Sequence, residues 1–495
     1  MGKNALYLSD ICDNGAETVV GNSNPAIKGI SADSRLIKPG FLFAALPGEI
    51  TDGQRFIADA VTHGAAAILA AKGTRLPPNA THLPLITSMD PRQSLAIFAS
   101  RYYPIQPVIS AAVTGTNGKT SVAWFTKRLW SALGYKAASI GTLGVDADSN
   151  VLSPTGGLTT ADPVTLHQTL QNLATSGINA VIIEASSHGL DQRRLDGVRL
   201  KAGAFTNLSR DHLDYHKNMC SYRAAKRRLF DQLLPHGAAA VLHRDTEEYD
   251  EWKNISQNRG LEIISYGKAR TDLELINVKP LKKGQKLTVR LINNVYEISV
   301  PITGIFQAEN ILCAIGLVLA CGEKAERIAA AASKLTTPIG RLELVATLEN
   351  NASIYVDYAH TPAALESALT ALRARTKNKL HLIFGCGGNR DTGKRQEMGK
   401  IANKLADEII ISDDNPRNED SKFIRLQIAA HCPNAIDIGN RTEAINTAIE
   451  RLSSDDILII AGKGHESLQI VGNTSSECND RDIVQAALPR VRSKI

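Results

Sequence analysis

Short apolar runs alternate with stretches of helical spacing along most of the chain. Residues 108–113 form one such run, and a helical pattern through Trp124, Leu129 and Leu133, closed by Gly134, follows it. Strand-like runs recur at 137–140, 180–183, 202–206 and 238–242, and between the first two lies a helix that Asp162 caps and Pro163 opens. Apolar runs of this length separated by helices predict a largely parallel sheet covered by helices. Up to residue 90 the pattern is smaller: short strands, a helix over 56–62, a stop at Gly64 and a buried strand over 65–70. From 287 to 301 the period changes to two around Asn293-Asn294, which predicts an antiparallel hairpin insert; a helix starting near Asn310 closes that block. A third block begins near Gly340, with strands over 354–356, 380–384, 408–411 and 457–461 and helices over 363–374 and 395–406. That is a doubly wound pattern.

Composition changes this picture little. The chain has 495 residues, of which 43% are hydrophobic and 21% charged, which suits a globular protein of about three domains. A formal charge of +6 without a Lys/Arg block favours small anionic ligands over nucleic acid. The seven cysteines are scattered with no Cys-x-x-Cys pair, which predicts reduced thiols rather than disulfides or a zinc framework. The longest apolar run, 311–321, is too short to cross a bilayer, and the N-terminal residues lack a signal-peptide core. These observations predict a cytoplasmic protein with no membrane insertion.

The chemistry begins at Thr114-Gly115-Thr116-Asn117-Gly118-Lys119-Thr120-Ser121, between a predicted strand and a predicted helix. A Gly-rich turn at a helix N-terminus turns backbone N–H groups toward an anion, the lysine adds charge, and the threonine hydroxyl can hold Mg²⁺. The usual opening glycine of such a loop is Val113 here. Nucleotide binding is the first expectation, and the fold class is then α/β in three domains. These are a small α/β domain (1–90), a central P-loop-type domain with a mostly parallel sheet (91–338) and a Rossmann-like doubly wound domain (339–495). The turn 385–390 faintly resembles a dinucleotide fingerprint, but Arg390 stands at its last glycine, so no nicotinamide site is expected. Glu184 follows a buried strand beside the loop, where a carboxylate can bind the metal of MgATP. His188, His212 and His216 have no spacing that fits a closed zinc site.

Taken in order, the segments 114–120, 184–189, 207–216 and 356–362 resemble the Mur ligases, which add amino acids to the UDP-linked precursor of peptidoglycan. The resemblance covers the whole chain. Within the family, 384–390, Asp414-Asn415-Pro416-Arg417 and Gly462-Lys463-Gly464-His465-Glu466 are similar to members that add meso-diaminopimelate. The resemblance implies an ATP-dependent amide-bond-forming ligase that acts through an acyl phosphate on the D-Glu side-chain carboxylate of UDP-MurNAc-L-Ala-D-Glu. Such an enzyme works as a monomer on small molecules in cell-wall synthesis, and so in cell shape and division.

Site residues carry over by position. The resemblance puts Lys119, Glu184, His212 and Lys226 at the chemistry, with Thr120, Glu184, His212 and Lys226, the last as its N6-carboxylated form, holding paired Mg²⁺ ions. Gly115 to Ser121, Asn310, Arg341 and Asp357 would surround ATP. Ala32, Ser34, Glu49, Ile50, Thr51, Leu158, Thr159, Thr160, Ser186, Gln192 and Arg194 would hold the UDP precursor. Arg390, Asp414, Asn415, Pro416, Arg417, Gly462 and Glu466 would hold diaminopimelate. Many relatives have Pro directly after the paired threonines, whereas this chain reads Thr159-Thr160-Ala161-Asp162-Pro163, and the first block resembles the family least. Taken singly, Ser34 and Thr160 read as caps or turn residues. Three rival readings are a lysine-adding member, differing mainly at Arg417, a folylpolyglutamate synthase and a non-enzymatic P-loop switch.

Overall fold

The structure, a computed structural model, describes residues 6–12, 17–48, 52–147, 150–152 and 158–492. Among these residues the strands gather into three large sheets and one separate hairpin. The first sheet runs in the order Thr18–Val20, Leu85–Ser88, Ala65–Ala71, Phe41–Ala45 and Gly29–Ser31, parallel except for its first strand. Its helix over the 56–62 pattern is Ile57–Thr62, entered by a 3-10 turn that Asp52 caps. Gly64, at φ +94°, ends that helix where a Cβ would meet Pro39 at 2.9 Å.

Eleven strands form the central sheet. Its middle is Ile109–Thr114, flanked by Ala180–Glu184 on one side and Ala202–Phe205 on the other, all parallel. Chain order reverses across this middle strand, and ligands of open α/β sheets bind at such a reversal, beyond the C-terminal strand ends. The helices Lys119–Ala132 and Ile305–Ala320 cover one face, interleaving Phe125, Leu129 and Trp130 with Ile311, Leu312 and Ile315. On the other face Pro163–Thr175 packs Leu166, Leu170 and Leu173 against the sheet, and Asp162 caps it by accepting from the Val164 and Thr165 N–H groups.

The helix expected near Asn310 begins at Ile305, so Asn310 lies in its second turn. Polar Gln307 and Glu309 stand in its first turns. In the fold Gln307 is fully buried and donates to the Arg341 carbonyl, so polarity there marks a cavity wall and not solvent. The hairpin pattern at 287–301 is the pair Gln285–Leu291 and Asn294–Val300, with Ile292 taking the positive φ of its turn. A third strand, Leu273–Pro280, joins this hairpin; a bulge between Leu275 and Asn277 breaks the alternation that would have marked it.

The third sheet runs Glu343–Thr347, Ser353–Asp357, Ile457–Ala461, Leu380–Phe384, Glu408–Ile411 and Ile436–Asp437, parallel after its first strand. The hairpin of Leu468–Val471 and Thr474–Glu477 stands apart from it. No helix among the described residues is long and apolar enough to cross a membrane, and all seven cysteines are free thiols.

Candidate active site

Two glycines shape the turn after Ile109–Thr114. Gly118 sits at φ +89°, and a Cβ there would lie 2.4 Å from Asn310 Oδ1; at Gly115 it would run into the Thr206 hydroxyl. The turn can therefore close only without side chains at these points. It is tied down by the neighbouring strand end, with Thr116 N–H donating to the Asn207 carbonyl (2.8 Å) and Asn117 N–H to Asn207 Oδ1 (3.0 Å). Lys119 opens the helix Lys119–Ala132 and curls back, its ammonium donating to the Gly115 and Thr116 carbonyls at 2.8 Å each. Burial lowers its pKa, opposed by the charges of Glu184 and Asp211.

Glu184 ends its strand inside this cluster and is buried. Its Oε2 accepts from the Thr120 hydroxyl at 2.9 Å, and Oε1 accepts from Thr142 N–H at 2.9 Å. Gly141 makes room for it: a Cβ there would stand 2.1 Å from Glu184 Oε1. A carboxylate held against a helix-start hydroxyl in a glycine-lined niche suits the magnesium of a nucleotide, which takes hard oxygen donors. His212 stands beside Asp211, which holds its backbone N–H at 2.9 Å. Its ring nitrogen Nε2 lies 3.3 Å from Asp211 Oδ2, and burial holds the imidazole near pKa 3 and uncharged. The rings of His188 and His212 meet edge to face, 4.8 Å apart. Lys226, on the helix Met219–Arg228, is buried; its amine donates to the Gly115 carbonyl at 2.7 Å and lies over the Tyr222 ring. Burial and the neighbouring Lys119 push its pKa well below that of an ordinary lysine.

The third unit closes the other side. Arg341 donates from Nη2 to the Thr120 hydroxyl at 2.9 Å, while its guanidinium stacks over the Tyr358 ring. Asp357 is buried at the end of its strand, where it accepts from the Leu342 and Ala359 N–H groups. Burial pushes it up to about 6. Asn310 donates to Gln307 Oε1 at 3.1 Å. Together these groups line a cavity of about 390 Å³ running from Lys119, Thr120 and Glu184 past Asn310 to Arg341 and Asp357.

A second group adjoins Glu184. The Thr160 hydroxyl donates to the Glu184 carbonyl (2.7 Å) and also lies 3.0 Å from Ser186 Oγ. Arg194 donates to the Thr160 carbonyl and to Gln192 Oε1 (2.7 Å). Thr159 lies 3.1 Å from Thr142, and Leu158 is exposed beside it. Ala32 and Ser34 belong to the first unit, where Asp33 caps the 3-10 turn Ser34–Leu36. Glu49, Ile50 and Thr51 lie outside the described residues.

The diaminopimelate set gathers at the strand ends of the third sheet. Asn415 donates to Glu466 Oε2 (2.9 Å) and accepts from Ile470 N–H (2.9 Å), and the Tyr358 hydroxyl reaches Glu466 at 3.3 Å. Burial and Asp414 raise the Glu466 pKa. Gly462 (φ +114°) leaves space for Asp414, whose carboxylate would be 2.8 Å from a Cβ. Pro416 passes its chain so close that a Cβ on Gly388 would stand 1.9 Å from the Pro416 carbonyl. Arg417 is half-buried, at φ +53°, with Nη1 on the Gly388 carbonyl at 3.0 Å. Arg390 is half-exposed, within electrostatic reach of Arg417, and pairs with Asp214 at 3.8 Å.

Several residues at the site carried no expectation in the sequence. Thr142 follows a predicted strand just as Glu184 does, so the rule that found one applied to the other. Arg210 and Asp391, which join the two larger units by paired hydrogen bonds of 2.7 and 3.0 Å, flank Asp211 and Arg390 in sequence and gave no signal of their own. The hairpin at 468–477, which braces Asn415 and Arg417, was announced only by the turn residues Gly472-Asn473.

Three family models match the chain: the Mur ligase family catalytic domain over residues 26–103, the Mur ligase middle domain over 113–318 and the Mur ligase glutamate ligase domain over 340–464. A relative from Mesorhizobium japonicum, a UDP-N-acetylmuramoyl-L-alanyl-D-glutamate–2,6-diaminopimelate ligase, is 47% identical over 93% of this chain and 95% of its own. A solved structure of a ligase of that name superposes with a TM-score of 0.68 at 31% identity, over 94% of this chain and 96% of that one. The folylpolyglutamate synthase of Mycobacterium tuberculosis, solved with ADP and AMPPCP, shares the fold at 18% identity and a TM-score of 0.62, over 75% of this chain and 92% of its own.

Proposed function

The chain belongs to the Mur ligase family, and from that premise we infer an ATP-dependent ligase that adds meso-diaminopimelate to the D-Glu side-chain carboxylate of UDP-MurNAc-L-Ala-D-Glu. The observation that carries this reading is the Thr120–Glu184 pair at 2.9 Å, set in the phosphate loop and bridged from the third unit by Arg341. It supports in-line transfer of a phosphoryl group between two anions, for which charge neutralisation matters more than proton transfer.

In this reading the precursor carboxylate attacks the γ-phosphorus and ADP departs. The amine of diaminopimelate then attacks the acyl carbon, loses its proton, and phosphate leaves. Gly115 to Ser121 cradle the phosphates, Lys119 balances their charge, and Arg341 and Asp357 shut the cavity from the third unit. Thr120, Glu184, His212 and Lys226 as its carbamate are suited to hold Mg²⁺, which would neutralise the phosphate oxygens. Lys226 meets the chemical requirement for carbamate formation, since a buried amine of depressed pKa offers carbon dioxide an uncharged nucleophile. Thr159, Thr160, Ser186, Gln192 and Arg194 adjoin Glu184 and would hold the precursor, with Ala32 and Ser34 of the first unit. Asp414 to Arg417, Gly462 and Glu466 would receive the amino acid, and Arg390 would turn from Asp214 to its carboxylate. The substrates are small molecules, and the enzyme would act in the cytoplasm as a monomer.

The test is phosphate release from ATP. It should require both the UDP-dipeptide precursor and an amino acid, with diaminopimelate far more effective than lysine. Release with ATP alone at the full rate would favour a simple NTPase.

A further inference from the structure

Resting on the reading of the Thr120–Glu184 niche as a magnesium–nucleotide site, we propose that Thr142 is a positioning residue for Glu184 and links the nucleotide and precursor sites through one hydrogen-bond chain. Thr142 follows the strand Ala137–Gly141, which pairs in parallel with the strand ending in Glu184. It engages both oxygens of that carboxylate: its N–H donates to Oε1 at 2.9 Å and its hydroxyl to Oε2 at 3.1 Å. A carboxylate fixed at both oxygens cannot rotate, which is how supporting groups preset a metal ligand.

Counting protons gives the chain its direction. The Thr142 hydroxyl has one proton, committed to the carboxylate, so Thr159 must donate in the 3.1 Å contact between the two threonines. The Thr120 hydroxyl spends its single proton on Glu184 Oε2 and receives Arg341 Nη2. Thr159 and Arg341 thus both donate toward Glu184 through one intervening hydroxyl each. Thr159 sits beside Thr160 and the Ser186–Arg194 group, and Arg341 comes from the third unit. Anything that moves Thr159 moves the hydroxyl that orients Glu184. Gly141 cannot replace this support, because its lack of a side chain is what admits the carboxylate.

The experiment compares Thr142→Val, which keeps shape and loses the hydroxyl, with Thr142→Ser, which keeps the hydroxyl, and Thr142→Ala as a second hydroxyl-free variant. Binding of AMP-PNP is measured calorimetrically with Mg²⁺ and with EDTA, in the presence and absence of the UDP-dipeptide precursor. Thr142→Val and Thr142→Ala should lose about tenfold of the Mg²⁺-dependent affinity and most of the enhancement by precursor, while metal-free affinity stays. Thr142→Ser should behave as the wild type. Wild-type behaviour in the hydroxyl-free variants, or equal impairment in Thr142→Ser, would overturn the proposal. A wild-type enzyme whose nucleotide affinity ignores Mg²⁺ would instead overturn the reading of the niche, and this inference with it.

Discussion

Arg341 crosses from the third unit to donate a hydrogen bond to the Thr120 hydroxyl, 2.9 Å away, at the first turn of the phosphate-loop helix. Its Nε is buried without a hydrogen-bond partner among the described residues, and its guanidinium face is held against the Tyr358 ring. A hydrogen bond from a charged group is worth about 1.5–3 kcal/mol, so Arg341→Ala should raise the KM for ATP by roughly ten- to a hundredfold. The KM for diaminopimelate should change much less. Steady-state titration of each substrate checks this, and equal increases for both would count against Arg341 as a nucleotide contact.

Lys226→Ala should abolish turnover, and because the side chain is fully buried and its amine meets the Gly115 carbonyl, circular dichroism of the variant checks alongside that the fold survives. Acetate or another short carboxylate should restore part of the activity by supplying the missing anion. Wild-type enzyme stripped of carbon dioxide should lose activity and regain it with bicarbonate. Full activity in Lys226→Ala would remove the carbamate from the mechanism.

How much of this was legible in the chain follows from where its polar groups point. The strands 380–384, 408–411 and 457–461 coincide with Leu380–Phe384, Glu408–Ile411 and Ile457–Ala461, because strands buried on both faces leave an unbroken apolar signature. The strand Leu273–Pro280 was invisible because its bulge shifts the alternation and half its side chains are exposed. At the site, Glu184 could be picked out because it ends such a strand. Arg210 and Asp391 could not, since a pair 181 residues apart in sequence acquires meaning only when two units meet.

That pair joins the loop bearing Asp211 and His212 to the loop bearing Arg390, with Arg210 also 3.7 Å from Glu397. Arg210 is 43% exposed, which places the bridge among ion pairs worth about 0.2–1 kcal/mol, so breaking it should cost only severalfold in activity. Arg210→Glu or Asp391→Arg alone adds repulsion and should cost more than neutralisation. The doubly reversed variant should recover most of the loss. Failure of the reversal to recover activity would show that the two residues act separately.

Acid should destabilise the protein through its buried imidazoles. Burial holds His167, His188 and His360 near 4, and His212 and His465 near 3, against about 6.5 in an unfolded chain. The unfolded state therefore binds more protons over that range, so stability is complete above pH 6.5 and is lost as pH falls through it toward 4. The carboxyls that burial raises, Asp357 to about 6 with Glu248, Glu309 and Glu466, work in the opposite sense, while carboxylates held low, among them Asp211, Asp391 and Asp407, add to the imidazoles. His167 is fully buried, with its Nε2 on the Asp196 carbonyl at 3.0 Å, and alone should account for about 3 kcal/mol between pH 7 and pH 4. Denaturant titrations at several pH values should show this slope, and His167→Gln should flatten it by that share. An unchanged slope would mean His167 is solvated in the native state.

Selectivity for diaminopimelate should rest on Arg417. Diaminopimelate differs from lysine by one distal carboxylate, so discrimination needs a cation satisfied only when that group is present. Arg417 is held at φ +53°, with its N–H on the Ile470 carbonyl and its own carbonyl receiving Gly472 N–H, so the backbone aims the side chain. Burial and the charge of Arg390 lower its pKa, opposed by the charges of Asp414 and Glu466. Its Nη1 rests on the backbone carbonyls of Gly388 and Asn415, which are weak partners that a carboxylate would outcompete. A site left unpaired by the wrong substrate can reject it by about 10⁴-fold. Arg417→Ala should therefore cripple addition of diaminopimelate by two or more orders of magnitude in kcat/KM while leaving the slow reaction with lysine nearly unchanged, as judged by roughly a few kcal/mol of lost transition-state binding. Arg417→Lys should recover little, since an ammonium cannot replace the two-pronged grip of a guanidinium on a carboxylate. Parallel assays with both amino acids decide the matter: equal losses for both would move the source of selectivity elsewhere, with Arg390 the next residue to replace.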